Sequence, residues 1–450
     1  MGRLFGTDGV RGLANGEKLT APLALGLAAA AAHVLGAGHG GRLQALVGRD
    51  TRASGEFLEA AVTAGLAGAG VDVIRVGVVP TPGMAWLVAE RGAALGVMLS
   101  ASHNPMPDNG IKFFSRGGVK LPDDVEDLIQ SEYEAPSRLS RPTGADVGRV
   151  ADDPGAIDAY IAHLSGSVPA GCLAGQRIVV DAANGAAYRT APAALRAAGA
   201  EVSLIAASPD GLNINDSCGA THPEALRQAV TAAGADFGIA VDGDADRCLM
   251  VDHTGAVVDG DQLLAILALA LREEGRLHLD TVVATVMSNL GFIQAMRAAG
   301  IAVDLTKVGD RYVLETMNEN NFTLGGEQSG HIILSDYATT GDGVLTGLHV
   351  AARVAATKRR LADLAGVVTR LPQVSVSVPD LDRARVNLDP EVNVAAKAAA
   401  ARLGSHGRLL LRPSGTEPVV RVMVEAPTAE EADEVAGVLV EVLKRRLALS

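Results

Sequence analysis

Asp242, Asp244 and Asp246 stand at alternate positions, the sharpest chemical pattern in the chain. In an extended loop that spacing turns every second side chain to one side, so the three carboxylates can wrap a hard divalent cation, which prefers oxygen ligands. Without a cation, like charges held that close oppose one another's ionisation. An EF-hand does not fit. Counted from Asp242, the sixth position is Arg247 where glycine is needed, and the twelfth is His253 where glutamate is needed. Mg2+ suits the pattern better, since it commonly takes a few carboxylates together with a phosphate oxygen. A phosphate should therefore lie close by.

Other segments supply the parts for handling one. Arg412-Pro413-Ser414-Gly415-Thr416-Glu417, with Arg421 on the next strand, offers hydroxyls, a glycine that allows close backbone approach, and guanidinium forks. Glu327, Ser329 and His331 place an acceptor, a hydroxyl and an imidazole within five residues, which suits a polyhydroxylated molecule and the movement of its protons. A polar loop holding Ser100, Ser102, His103, Asn104 and Pro105 interrupts an apolar run, and Lys112 follows ten residues after Ser102, able to offset charge on a phosphoryl group. The glycine-rich opening 5–12 is read as an ordered loop, too rich in glycine for a regular element, that presents Arg11. No lysine is followed by serine or threonine, so there is no P-loop and ATP is not the expected donor. A clamp, a metal loop, a polyol loop and a serine loop together describe phosphoryl transfer on a sugar phosphate.

The elements that must position these loops repeat three times. Apolar runs at 43–47, 71–79 and 94–99 read as strands, the third ending in the serine loop. Runs at 177–180, 201–206 and 237–241 follow, the third ending in the aspartates, and then 281–286, 302–308 and 322–324, the third ending in Glu327 to His331. Each third loop leads into a further apolar run, at 111–114, 248–251 and 332–334. Helical stretches at 56–67, 191–198 and 290–299 fill the gaps between first and second strands. Ligands gather at the carboxyl ends of strands in such sheets. The expected fold is α/β: three similar α/β domains with mixed sheets, followed by a smaller C-terminal α+β domain. In that tail, strands at 374–378, 409–411 and 419–424 accompany a helix at 390–403 and a last helix, capped by Thr428 with Glu431, whose face holds Val435, Val438, Leu439, Val442 and Leu443. Expected domains are 1–150, 151–255, 256–368 and 369–450. The G-x-G-x-x-G spacing at 36–41 is rejected as a dinucleotide site, because a helix precedes it and a strand follows, the reverse of that fingerprint.

Composition agrees with packed layers of α/β type. The chain has 450 residues, 48% hydrophobic and 3% aromatic, with a formal net charge of −13. That charge argues against nucleic acid and anionic membranes as partners, and leaves a small anionic substrate open. The odd, scattered cysteines Cys172, Cys218 and Cys248 fit neither a disulfide framework nor a zinc site, and the polar start carries no secretory pattern, so a cytoplasmic protein is expected. The alanine-rich run 23–35 is too short to span a bilayer and reads as a buried helix.

F-G-T-D-G-V-R-G at 5–12, S-A-S-H-N-P at 100–105, D-G-D-A-D-R at 242–247, G-E-Q-S-G-H at 326–331 and R-P-S-G-T-E-P at 412–418 occur together and in this order in the α-D-phosphohexomutases. The chain resembles that family over almost its whole length, most closely the members acting on amino sugars. The resemblance implies four domains around a central cleft and a phosphoryl group carried on Ser102. It implies Mg2+ held by phosphorylated Ser102 with Asp242, Asp244 and Asp246, and Lys112 and Arg247 beside the reacting phosphoryl. Glu327 and Ser329 would hold sugar hydroxyls; Arg412, Ser414, Gly415, Thr416 and Arg421 would grip the non-reacting phosphate; Arg11, His103 and His331 would line the cleft. Glucosamine 6-phosphate would pass through a 1,6-bisphosphate to glucosamine 1-phosphate, feeding UDP-N-acetylglucosamine and cell-wall precursor synthesis. Glucose or mannose phosphates would use the same machinery. Ala245 departs from the D-G-D-G-D-R form common among relatives, which matters little unless the position needs a positive φ.

Overall fold

Strands that are buried from end to end sit at the centres of the sheets. Leu95–Leu99, Phe237–Val241 and Thr281–Thr285 are buried at every position, whereas Glu201–Ile205 is partly exposed at an edge. The computed structural model describes residues 3–6, 8–37, 41–136, 139, 141–413 and 419–449. The chain forms two units, Met1–Val286 with Ile301–Val367, and Met287–Gly300 with Val368–Ser450.

The first unit contains three α/β layers with one strand order. In the first layer, Asp72–Val78, Gln44–Arg49 and Leu95–Leu99 run parallel, and Asp108–Ser115 lies antiparallel beyond Leu95–Leu99. The second repeats this with Glu201–Ile205, Arg177–Asp181, Phe237–Val241 and Cys248–Asp252. The third does so with Ala302–Thr306, Thr281–Thr285, Leu324–Gly326 and Ile332–Leu334. Parallel neighbours need crossovers, supplied by helices such as Gly55–Gly68 and Thr190–Ala197. The last step of each layer is a hairpin, and all three chemistry-bearing loops of this unit are those hairpins. The helix Ala21–Gly36 precedes the strand Gln44–Arg49, the order on which the dinucleotide reading was rejected. No helix among the described residues is long and apolar enough to cross a membrane.

One segment is more regular than its glycines suggest. Val10–Leu13 is a strand, paired antiparallel to Asp108–Ser115 with Val10 opposite Ile111. Phe5 and Val10 are buried, and that anchorage outweighs the entropic cost of the glycines.

Asp342 ties the third layer to the helix Ala156–Gly166. Its Oδ1 accepts from Leu345 N at 2.9 Å, capping the helix Gly343–Thr357, and Tyr160 Oη donates to its Oδ2 at 2.5 Å. Burial pushes this carboxyl up to about 6. The native state therefore binds the proton more tightly than the unfolded chain, and this group's contribution to stability falls as pH rises from about 4 to about 6. Asp342→Asn should gain on the wild type by roughly 2 kcal/mol between about pH 4 and about pH 7, compared by urea unfolding. A difference that does not change with pH would contradict this.

In the second unit, Gln373–Pro379, Val419–Glu425 and Arg408–Pro413 form an antiparallel sheet in that order. The helix Leu290–Ala298, which joins two strands of the third layer in sequence, belongs to this unit, and Leu290 N donates to Glu425 Oε2 at 3.0 Å. Thr428 Oγ1 accepts from Glu431 N at 3.2 Å at the start of Ala429–Leu447. The buried face of that helix holds Val435, Leu439 and Leu443, but Val438 is 57% exposed and does not belong to it. Ala432, Ala436, Val440 and Leu447 complete the face instead.

Candidate active site

Ser102 lies just past the carboxyl end of Leu95–Leu99, on the first hairpin. It is buried and has φ of 51°, a left-handed conformation that costs a serine roughly 1–2 kcal/mol. The surroundings hold it there. Ser102 N donates to Ser100 Oγ at 2.9 Å, Ser100 Oγ donates to Asp50 Oδ2 at 2.7 Å, and Asn215 Nδ2 donates to Ser102 O at 2.9 Å.

The hydroxyl faces the aspartates. Ser102 Oγ donates to Asp242 Oδ2 at 2.5 Å, and Gly243 passes so close that a Cβ there would lie 2.6 Å from Ser102 O. Asp242, Asp244 and Asp246 are buried, with one ligand atom from each within 4.8 Å of the others. Asp244 is held by Thr81, whose Oγ1 donates to Oδ2 at 2.5 Å and whose N donates to the carbonyl at 2.9 Å. Burial, then Asp246 and Asp244, raise the Asp242 carboxyl well above the usual range. Burial pushes Asp244 the same way, but Lys112 and the Thr81 hydroxyl override it and hold Asp244 low. Asp244 Oδ1 and Asp246 Oδ1 are buried without a hydrogen-bond partner. Bare carboxylate oxygens converging beside a hydroxyl fit a hard divalent cation, which would offset the desolvation and mutual repulsion.

Cations and imidazoles line the same place. Lys112 Nζ lies 2.8 Å from Asp244 Oδ2 and 2.7 Å from Asp8 Oδ2. Arg11 Nη2 is 2.6 Å from Asp8 Oδ2 and adds to the field on Asp244 and Asp246. Arg247 Nε is 3.9 Å from Asp246 Oδ1, in the field of Asp246, Asp242 and Glu327. His103 Nδ1 lies 3.3 Å from Ser102 Oγ. Burial, with Arg247 and Arg11, takes that imidazole down to about 4, so it is neutral near pH 7.

The third hairpin is pinned to the second, since Cys248 N donates to Gly330 O at 3.0 Å. Glu327 Oε1 accepts from Gly309 N at 3.1 Å, Ser329 is exposed, and His331 is buried with its Nε2 3.6 Å from Asp310 Oδ2. The first unit thus brings together Ser102, His103, Lys112, Arg11, Arg247 and the three aspartates, with the hairpin of Glu327, Ser329 and His331 beside them.

Within the second unit, Arg412 and Arg421 stand directly opposite on adjacent strands, beside a cavity of about 180 Å³ lined also by Ser375, Ser377 and Met423. Arg412 belongs to the strand Arg408–Pro413, not to the loop after it, because its neighbours continue the ladder. Like charges opposed on a sheet repel, and an anion between them relieves this. Ser414, Gly415 and Thr416 lie outside the described residues.

Two features were hidden in the sequence. Arg52 is fully buried and donates to Ser102 O at 3.0 Å, Asn104 O at 2.8 Å, Pro105 O at 2.5 Å and Asp108 O at 3.0 Å, and its Nε donates to Asp50 Oδ2 at 2.9 Å. Every N–H of the guanidinium is used, and the serine loop is wrapped around it. Ala245 takes φ of 59°, so the position does adopt the left-handed conformation that favours glycine. Ala245→Gly should raise stability by about 1 kcal/mol in chemical denaturation with turnover kept; a destabilised variant would show that the buried methyl outweighs the strain.

The four described domains of phosphoglucomutase/phosphomannomutase match in order: alpha/beta/alpha domain I at residues 2–139, domain II at 158–255, domain III at 259–371 and the C-terminal domain at 373–442. The chain belongs to this family and is an isomerase of the phosphohexomutase class. Similar curated proteins are narrower in name. The phosphoglucosamine mutase of Cutibacterium acnes is 63% identical over 453 residues, covering 100% of both chains. That of Streptomyces griseus is 62% identical over 455 residues, covering 99% of this chain and 100% of that one. Among solved structures, a phosphoglucomutase/phosphomannomutase family protein from Burkholderia thailandensis matches with a TM-score of 0.82 at 24% identity, over 99% of each chain. N-acetylphosphoglucosamine mutase of Aspergillus fumigatus, solved with GlcNAc-6P and magnesium, matches with a TM-score of 0.68 at 18% identity, over 98% of this chain and 95% of that one.

Proposed function

We propose that this chain interconverts glucosamine 6-phosphate and glucosamine 1-phosphate through a phosphorylated Ser102 and a glucosamine 1,6-bisphosphate, in the cytoplasm. Whole-length identity to proteins named phosphoglucosamine mutase supports the sugar. The observation that carries the chemistry is Ser102 Oγ, 2.5 Å from Asp242 beside buried carboxylate oxygens that lack partners.

The domains 1–150, 151–255, 256–368 and 369–450 each carry one of the loops. Arg412, Ser414, Gly415, Thr416 and Arg421 hold the phosphate that does not react, and Glu327 and Ser329 orient the sugar hydroxyls. The C1 hydroxyl then attacks the phosphorus on Ser102; the P–Oγ bond breaks, and the hydroxyl proton passes to a base. His103, neutral and next to Ser102, can accept a proton; His331 and Arg11 line the cleft with it. The bisphosphate turns over, and Ser102 Oγ takes the 6-phosphoryl, leaving the 1-phosphate. Lys112 and Arg247 stabilise charge on the transferring group. Asp242, Asp244 and Asp246, with the phosphoserine oxygen, would hold Mg2+, which when bound neutralises charge on the phosphoryl oxygens.

Competition among glucosamine, glucose and mannose 6-phosphates, with isomer and free phosphate both measured, tests the assignment. Glucosamine 6-phosphate should have the highest kcat/KM and yield isomer. Preference for glucose or mannose phosphate, or release of phosphate without isomer, would overturn it.

A further inference from the structure

A line of alternating charge runs through the first unit from the metal loop to the sugar loop. Asp244 pairs with Lys112 at 2.8 Å, and Lys112 with Asp8 Oδ2 at 2.7 Å. Asp8 Oδ1 pairs in turn with Lys120 at 3.2 Å, Lys120 with Asp310, and Asp310 Oδ2 lies 3.6 Å from His331 Nε2. The side chains of Lys112, Asp8, Lys120 and Asp310 are at most 16% exposed. The line crosses all three layers: Asp244 lies on the second hairpin, Lys112 and Lys120 in the first layer, and Asp310 in the third.

Lys120 is its middle member. It sits in the short strand Val119–Lys120, opposite Phe114 of the strand that also carries Lys112. The turn before it is fixed to the third layer by Thr339 Oγ1, which donates to Gly118 O at 2.6 Å. Buried ion pairs are poor stabilisers, because desolvation consumes most of the Coulombic gain and a packed apolar side chain often does as well. Their geometric effect is stronger: a cation gripped on both sides fixes both carboxylates, Asp8 in turn grips Lys112, and Asp310 stands beside His331 without a hydrogen bond to it. Asp8 also binds Arg11, so the Lys120 contact limits how Asp8 divides itself between Arg11 and Lys112.

We propose that Lys120 is a positioning residue of the mutase reaction: by clamping Asp8 and Asp310 together it sets Lys112 against the aspartate triplet and keeps Asp310 beside His331 of the sugar-binding hairpin. The inference rests on the reaction proposed above and adds to it a residue that touches neither the sugar nor the transferring phosphoryl.

The test uses the full-length protein with Mg2+ and glucosamine 6-phosphate, and compares Lys120→Met, Lys120→Arg and the double variant Lys120→Met with Asp310→Asn. Lys120→Met should lower kcat by about 10- to 100-fold and raise KM, since an ångström-scale misplacement costs that much; Lys120→Arg should recover much of both. The single Met variant leaves two buried carboxylates facing each other and should melt lower. The double variant removes that repulsion, so its melting temperature should return while kcat and KM stay impaired. A double variant that melts like the wild type and turns over within about twofold of it would overturn the proposal and leave Lys120 a structural residue. Unchanged kcat and KM in Lys120→Met would overturn it as well. Wild-type protein that forms no isomer would instead refute the reaction itself.

Discussion

Ser102→Ala is expected to abolish isomer formation, with kcat falling by roughly 10⁴-fold or more, the scale seen when a covalent nucleophile is removed. The size of the effect follows from the route. With no oxygen at position 102 the phosphoryl group has no place on the protein, and neither half of the exchange can occur. The fold should survive. The variant loses the hydrogen bond to Asp242 Oδ2, worth about 1 kcal/mol, while the backbone bonds from Asn215 and to Ser100 remain. Alanine meets the same left-handed backbone that serine does, so no new strain is added. Formation of glucosamine 1-phosphate, followed beside a melting curve, checks both halves of this expectation. Wild-type turnover in the variant would remove Ser102 from the mechanism.

Arg52→Met should be the most damaging single change to stability, at about 3–5 kcal/mol. The guanidinium has no exposed surface and uses every donor, one on Asp50 and the rest on the carbonyls of Ser102, Asn104, Pro105 and Asp108. Removing it leaves Asp50 charged and buried among acceptors that water does not reach, although Ser100 Oγ still donates to that carboxylate. Lysine would not rescue it, because three donors on one nitrogen cannot satisfy a planar fork of five. Adding Asp50→Asn should recover part of the loss by removing the stranded charge. Urea unfolding of the single and double variants measures this. A loss below about 1 kcal/mol for Arg52→Met would mean that the serine loop is held by other contacts.

How much of this was legible in the sequence depended on whether the information was local. The apolar runs gave the strands, because burial of both sheet faces leaves continuous hydrophobic stretches. The alternate aspartates were readable as a cluster from their spacing, and the fold brings one oxygen of each within 4.8 Å of the others. The order of strands in each layer was not readable, yet it explains why the third loop of every pass is the one that carries chemistry. Nothing in the sequence marked Lys120, Asp8 and Asp310, because spacing does not reveal that residues so far apart will pair out of water. Arg52 was hidden for the same reason. Val10–Leu13 was misjudged as a loop on its glycines, where burial of Val10 against the sheet decided the outcome. Val438 fitted the helical face on spacing alone but points to solvent.

The most direct test of the account is peptide mass spectrometry of the purified enzyme after mixing with glucosamine 1,6-bisphosphate and Mg2+, and again after adding glucosamine 6-phosphate. A single phosphate should appear on the peptide containing Ser102 and leave it as bisphosphate and then glucosamine 1-phosphate form. Isomer formation with that peptide unmodified throughout, or with the phosphate on another residue, would contradict it.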